Sequence, residues 1–257
     1  MNITDEMRKG LAYHRSGLSE KAQAIYRKIL GANPLHPDAL HLSGLIELET
    51  GEYETAEKLI DKAIQLAPGQ AVFHNNLGNV YIKKGQLREA VAHFQEAIRL
   101  KSDYAEAFYN LANASLQLDC CDEAILHYRQ ALDVKPDMIL ALFNMGKAYR
   151  QKDQLDQAIH CYRKVLELQP TCAETYEELG DIYKKLSEPE QAITCFQKAI
   201  ELNPDSWRSE FELGNLYRGK KWFESASECY RKVIGLNPRS ASVSLKRARF
   251  ILISRAV

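Results

Sequence analysis

The chain has 257 residues, of which 46 % are hydrophobic and 26 % charged, the composition of an ordinary folded globular protein. Its 34 Lys and Arg balance 34 Asp and Glu, and zero net charge argues against a protein that binds nucleic acid by neutralising phosphates. The first residues lack the pattern of a secretory signal, and no apolar run approaches the ~20 residues that span a membrane. We therefore expect a cytoplasmic protein with no integral membrane segment and with its six cysteines as free thiols.

Proline marks an internal repeat of 34 residues. Six of the eight prolines form a series, Pro34, Pro68, Pro136, Pro170, Pro204 and Pro238, in which every gap is 34 residues or twice 34. Ser102 stands at the missing place. The period predicts seven units and a final segment, at residues 3–36, 37–70, 71–104, 105–138, 139–172, 173–206, 207–240 and 241–257.

Three positions of the unit are constant in character. The eighth residue is always small: Gly10, Gly44, Gly78, Ala112, Gly146, Gly180 and Gly214. The twentieth is always alanine: Ala22, Ala56, Ala90, Ala124, Ala158, Ala192 and Ala226. The twenty-fourth is always large: Tyr26, Ile60, Phe94, Tyr128, Tyr162, Phe196 and Tyr230. A small residue allows a second helix to approach closely, and a large side chain fills the space between neighbouring units.

Apolar residues recur three and four positions apart over two segments of each unit, for example at Leu179 and Tyr183, then at Phe196 and Ala199. This spacing predicts two amphipathic helices per unit. The proline ends the second helix, because it cannot donate a backbone hydrogen bond within one. No segment shows the alternation of a strand, so the sequence predicts an all-α fold.

These residues resemble the tetratricopeptide repeat (TPR), whose 34-residue pattern is a large residue followed by Leu-Gly, Tyr, Ala, Phe and Pro. The sixth unit carries the whole pattern: Tyr176, Leu179, Gly180, Tyr183, Ala192, Phe196 and Pro204. The resemblance implies a right-handed superhelix, an α–α solenoid of seven helix-turn-helix repeats with a C-terminal capping helix. Stretches such as HNNLGNVY also resemble, more loosely, the superhelical repeats of O-linked GlcNAc transferases and their bacterial relatives.

In chain order, the units depart from the TPR pattern only locally. The first unit has Glu6 and Lys9 where large apolar residues are usual, as expected for an end that faces water. The second unit is weakened by Ser43 and the fourth by Ser115. Residues 241–257 begin like another unit, and we expect a lone capping helix there, although a basic amphipathic helix can also bind anionic lipid.

In the TPR fold the first helix of each repeat lines a concave groove, so the resemblance implies which residues face a ligand. Position six carries Asn76, Asn110 and Asn144, and position nine carries Asn79 and Asn113. An asparagine amide can pair with both the N–H and the C=O of a peptide backbone. Neighbouring first helices lie ~10 Å apart and an extended peptide advances ~3.3 Å per residue. We therefore expect a ladder with one rung per three peptide residues, as in the GlcNAc transferases.

The ladder is the middle of three predicted zones, since the first two units are mostly apolar on this face and the last two are acidic. The candidate peptide-binding residues are Asn76, Asn79, Tyr109, Asn110, Asn113, Phe143, Asn144, Lys147, Glu178 and Asp181. The alternative interpretation, that exposed asparagines are merely solvated, is the one we expect for Asn75. A carboxylate clamp, by which some TPR proteins bind chaperone tails, matches only at Asn79 and Asn110, which argues against that ligand.

Three patterns that suggest chemistry fit the repeat better. GNLYRGKK at Gly214–Lys221 nearly matches a phosphate loop, but it lies in a predicted helix and Lys221 replaces the hydroxyl that binds the metal. Three cysteines spaced 34 residues apart would lie ~8–10 Å from one another on stacked helices, too far to share a metal ion. The adjacent Cys120 and Cys121 lack the spacing of a redox or zinc motif. The sequence therefore predicts no enzyme, no cofactor and no metal site.

The leading hypothesis is an adaptor that binds an extended protein segment in its groove, with a basic stretch favoured near the acidic units. Two alternatives stay open. One is a substrate-recruiting subunit of a separately encoded transferase, and the other is a self-assembling scaffold that forms homo-oligomers.

Overall fold

A computed structural model describes residues 2–237 of the chain. This part contains fourteen helices and no strand, so the predicted all-α class is confirmed. The capping helix predicted at 241–257 lies outside the described residues. The chain divides into two compact units, each of which contains several of the 34-residue repeats. The first runs to Ala141 and the second starts at Leu142, and from here on "first unit" and "second unit" refer to these two.

The first unit holds eight complete helices: α1 (Ile3–Arg15), α2 (Ser19–Ala32), α3 (Pro37–Thr50), α4 (Tyr53–Leu66), α5 (Ala71–Lys83), α6 (Leu87–Leu100), α7 (Ala105–Gln117) and α8 (Cys121–Val134). The division falls within the ninth helix, α9 (Ile139–Gln151). The second unit continues with α10 (Leu155–Leu168), α11 (Ala173–Lys185), α12 (Pro189–Leu202), α13 (Trp207–Gly219) and α14 (Phe223–Leu236).

Helices follow one another as packed neighbours. In the first unit each helix from α1 to α8 packs on the next, and α5 also contacts α3 and α7. The odd-numbered helices α3, α5 and α7 therefore lie side by side. In the second unit α10 to α14 pack in the same sequential way. Apolar side chains fill the spaces between successive helices, for example Leu77 of α5, which packs with Ile60 of α4.

The two helices of a pair meet where the first has almost no side chain. A Cβ atom added to Gly78 of α5 would lie 2.5 Å from Cε1 of Phe94 on α6. The same addition at Gly180 of α11 would come within 2.8 Å of Cζ of Phe196. Both rings are fully buried, so they cannot easily move aside. The predicted match of a small eighth residue with a large twenty-fourth is thus a direct contact.

We predict that Gly78→Ala lowers the free energy of unfolding by about 1–3 kcal/mol, because the new methyl group overpacks against Phe94. The matched control is Gly31→Ala, also inside a helix but with no atom within 4 Å of the added carbon. That variant should be neutral or more stable, by up to about 1 kcal/mol, since alanine favours helix. Urea unfolding followed by far-ultraviolet circular dichroism measures both. Equal stability of the two variants would contradict the steric fit.

A second repeated feature lies in the turn between the helices of each pair. The residue there has a left-handed backbone, with φ between 59° and 88°, at Gly17, Gly51, Gly85, Asp119, Asp153, Ser187 and Lys221. The N–H group of the next residue donates to a carbonyl five residues earlier at 2.8–2.9 Å in every case. This is a Schellman-type helix end, which satisfies a carbonyl group of the last helical turn. Only glycine adopts such a φ without steric cost.

Lys221→Gly should therefore stabilise the protein by about 1 kcal/mol, because it removes the steric cost of a side chain at φ 64°. The reverse change in the turn after α5, Gly85→Lys, should destabilise by a similar amount. Thermal unfolding of the two variants beside the wild type checks this, and shifts of the same sign for both would count against it.

Candidate functional site

The predicted asparagines lie on the neighbouring helices α5 and α7. Asn76 and Asn79 of α5 and Asn110 and Asn113 of α7 are half-buried. Asn75 is only 4 % exposed, so the expectation that it is solvated surface is wrong. Asn75 lies on the flank of α5 that faces α7, so the neighbouring first helix α7 covers it. The residues of one repeat considered alone do not reveal this neighbour.

Four side chains on α3, α5 and α7 form one hydrogen-bonded chain. Asn110 Nδ2 donates to Asn75 Oδ1 at 3.0 Å, and Asn75 Nδ2 makes a longer contact of 3.5 Å with Asn76 Oδ1. Asn76 Nδ2 in turn lies 2.9 Å from His41 Nε2. The amides therefore link three consecutive first helices. We refer to these four residues as the amide chain.

His41 is the acceptor at the end of the amide chain. Its side chain is 6 % exposed, and its ring stacks on Phe73 with centroids 4.4 Å apart. Burial, with a smaller effect from His14, lowers the pKa of His41 to about 4. The ring is therefore neutral at pH 7, and a neutral imidazole has one nitrogen that accepts a hydrogen bond. The Asn76 amide nitrogen can only donate, so His41 Nε2 accepts.

Asn113 takes part in packing as well as facing the surface. The hydroxyl of Tyr128, which reaches across from α8, donates to Asn113 Oδ1 at 2.5 Å. Tyr230 makes the same contact with Asn215 in the second unit, at 3.1 Å. In these two repeats the tyrosine at the large twenty-fourth position binds the residue at position nine. Its hydroxyl helps to fix the orientation of that amide.

The two aromatic residues predicted to bind the peptide are less exposed than expected. Tyr109 is half-buried, and its ring lies 6.1 Å from that of Tyr128. Phe143 is 8 % exposed, with Tyr162 at 5.5 Å between centroids. Lys147 Nζ lies 4.4 Å above the centre of the Phe143 ring and 3.1 Å from Glu174. Phe143 therefore offers little free apolar surface.

Glu178 is 5 % exposed and is held within the second unit. It accepts a hydrogen bond from Tyr162 Oη at 3.3 Å and pairs with Arg150 Nε at 3.1 Å. Burial, followed by the negative charge of Glu178, raises the pKa of Tyr162 above its usual range. Arg150 therefore neutralises a buried carboxylate.

The other carboxylates of the acidic zone also have cationic partners. Asp181 pairs with Arg208 and lies 3.6 Å from Lys184. Arg208 also reaches Glu177 at 3.4 Å, and Lys184 pairs with Glu212. A basic ligand would have to replace these internal cations. The structure therefore removes the reason for expecting a basic stretch here, and binding at Glu178 or Asp181 stays a prediction.

Several models of one repeat family match the sequence. One, described as "TPR repeat", matches residues 78–119 and 146–187. Others, described as "Tetratricopeptide repeat", match residues 7–71, 59–92, 105–138, 173–206 and 211–240. The chain belongs to the tetratricopeptide repeat (TPR) family. The looser likeness to O-linked GlcNAc transferases stays a prediction.

Solved structures show the same fold as this TPR chain. The C-terminal part of a TPR repeat-containing protein from Cytophaga hutchinsonii has a TM-score of 0.74 at 16 % identity, over 93 % of this chain and 99 % of that chain. PilF from Pseudomonas aeruginosa has a TM-score of 0.72 at 20 % identity, over 84 % and 97 %. YrrB, described as a TPR protein with an unusual peptide-binding site, has 0.61 at 24 %, over 72 % and 95 %. A comparison with curated proteins found no match.

Further features of this TPR chain bear on metal binding, membrane insertion and thiol reactivity. Within residues 2–237, His, Cys, Asp and Glu do not form a group of three that could hold a metal ion, and no helix is long and apolar enough to cross a membrane. The stretch that resembles a phosphate loop begins inside α13 and continues into the following turn. Burial raises the pKa of Cys195 to about 11, and burial with Glu210 raises that of Cys229 to about 12. Both thiols are therefore protonated and unreactive at neutral pH.

The neutral state of His41 makes stability depend on pH. The unfolded chain binds a proton near pH 6.5, whereas the folded chain does so near its pKa of about 4. Folding stability is therefore lost as the pH falls from about 6.5 to about 4, by about 3 kcal/mol in total from this residue. We predict that His41→Phe, which keeps a buried ring without a titrating group, shows a smaller loss. Urea unfolding at pH 7 and pH 4.5 measures it.

His93 titrates in the same direction, because burial and His74 lower its pKa, so the wild type alone does not isolate His41. The comparison with His41→Phe removes that background. An identical change in stability for both proteins between the two pH values would show that His41 is not buried in its neutral form.

Proposed function

We propose that this TPR chain is a non-enzymatic adaptor that binds an extended segment of a protein partner along the neighbouring helices α3, α5 and α7. The observation that supports the proposal most directly is the amide chain, which places Asn76 and Asn110 on neighbouring helices with their side chains half-buried. A TPR array is a scaffold for protein interaction, and the amides give it a means of holding a peptide backbone.

The two half-buried amides retain hydrogen-bonding capacity. An asparagine has two N–H donors and a carbonyl oxygen with two lone pairs. Asn76 uses one N–H on His41 and one lone pair on Asn75, so it keeps one of each. Asn110 uses one N–H on Asn75 and keeps the other together with its oxygen. Each can therefore donate to a peptide C=O and accept from a peptide N–H.

The spacing suits an extended ligand. First helices that pack side by side are separated by about 8–10 Å. An extended peptide covers that distance in about three residues, at ~3.3 Å per residue. Two rungs on α5 and α7 would then bind main-chain groups three residues apart. Main-chain recognition of this kind requires no particular side chain at the bound residues.

Apolar side chains beside the rungs supply a further contact. Leu42 and Leu45 of α3 are half-buried, and Val72 of α5 is 39 % exposed. A partner segment with an aliphatic or aromatic residue near its ladder-bound part would bury this surface and gain affinity. YrrB offers an example of a TPR protein with a peptide-binding site.

A peptide probe can be obtained by selection from a random 16-residue library on the wild-type protein. We predict that Asn76→Ala/Asn110→Ala weakens binding of the selected peptide by about 30-fold, because two rungs at about 1 kcal/mol each are lost. Fluorescence anisotropy with the labelled peptide measures the dissociation constant.

The matched control is Asn203→Ala, which removes an exposed asparagine from the turn after α12 and should leave affinity unchanged. Asn144, at position six of α9, stays a prediction and is tested as a separate single variant. Failure to select any peptide, or unchanged affinity of the double variant, would overturn the proposal.

A further inference from the structure

We infer that His41 and Asn75 are positioning residues, which fix the orientation of the two amides that bind the ligand. The inference rests on the proposed function and deepens it, because neither residue was a predicted site residue. His41 and Asn75 are 6 % and 4 % exposed, so a ligand cannot reach them directly. Their effect must pass through Asn76 and Asn110.

The amide chain fixes the orientations of its members relative to one another. Asn76 directs its NH2 group at His41 Nε2, so this nitrogen accepts and the ring carries its proton on Nδ1. The oxygen of Asn76 then faces Asn75, which must direct its own NH2 group toward it. The oxygen of Asn75 is left to accept from Asn110. Turning any one amide by 180° would place donor against donor or acceptor against acceptor.

Packing holds the first member of the amide chain in place. The ring of His41 lies against that of Phe73 at an interplanar angle of 29°, and Phe73 is itself 2 % exposed. The acceptor nitrogen therefore has a fixed position on the framework of α3 and α5. Ordering of the surface amides before binding lowers the entropy that a ligand must remove, which increases affinity without any new contact.

Two substitutions at His41 separate positioning from packing. His41→Phe keeps an aromatic ring on Phe73 but has no acceptor, whereas His41→Gln loses the ring but supplies an amide oxygen that can accept from Asn76. If His41 positions the ladder, His41→Phe should weaken binding of the selected peptide about fivefold, and His41→Gln should stay within about twofold of the wild type. If His41 serves packing alone, the order of the two variants is reversed.

Asn75→Leu tests the second positioning residue and should also weaken binding about fivefold, since it removes both of its links. The control is Ser43→Ala, because Ser43 is 2 % exposed on α3 and its hydroxyl has no partner within the described residues. Its affinity should equal that of the wild type. Urea unfolding of each variant confirms that the proteins compared are folded.

A measurement on the free protein tests the amide chain without a ligand. Nuclear magnetic resonance should detect a coupling across the hydrogen bond between Asn76 Nδ2 and His41 Nε2 in ¹⁵N-labelled protein. Absence of the coupling, or wild-type affinity in both His41→Phe and Asn75→Leu, would overturn the inference alone. Insensitivity of the peptide to Asn76→Ala/Asn110→Ala would overturn the proposed function and this inference with it.

Discussion

The steric fit between a ring on one helix and a missing side chain on its partner determines the rest of the structure. At Gly78 the space for a Cβ atom is already filled by Phe94, and a close-packed interior cannot relax to make room. The fit sets how close the two helices of a pair lie and which side of the first helix is covered. The side left for neighbouring first helices and for a ligand is the one that carries Asn76 and Asn110. The candidate site is thus a consequence of the packing.

The same ring position also affects the polar surface. Four repeats have tyrosine there, and in three of them the hydroxyl meets a polar group: Tyr128 binds Asn113 and Tyr230 binds Asn215 on the first helix of the same pair, and Tyr162 binds Glu178 on the next first helix, α11. The hydroxyl of the fourth, Tyr26, has no partner within the described residues. The third repeat has Phe94, which has no hydroxyl, so Asn79 cannot be bound in this way. A choice between two similar aromatic residues therefore changes which amides are available for a ligand.

The sequence predicted the fold well because the same pattern of small and large residues occurs in all seven repeats and marks the same helix positions each time. The 34-residue period and the small and large positions placed the helices, and the left-handed turn could have been found from Gly17, Gly51 and Gly85 at equal spacing. Side-chain links are different, because residues at the same register can bind a ligand, water or one another. Asn75 was expected to be solvated and is buried, since α7 covers it. The acidic zone was identified by residue type on one face, while cations such as Arg208 that neutralise it come from the next first helix.

The amide chain orders the side chain of Asn76 without using all of its hydrogen-bonding groups. A half-buried amide with no partner is costly, whereas one whose hydrogen bonds are all satisfied inside the protein has nothing left for a ligand. Asn76 lies between these extremes, because His41 and Asn75 use one donor and one acceptor and leave one of each. A peptide bound as we propose would then replace only water, and no internal bond would have to break. Since main-chain groups are the same in every peptide, its selectivity would come from side chains beside Asn76 and Asn110, where Leu42, Leu45 and Val72 would favour apolar residues.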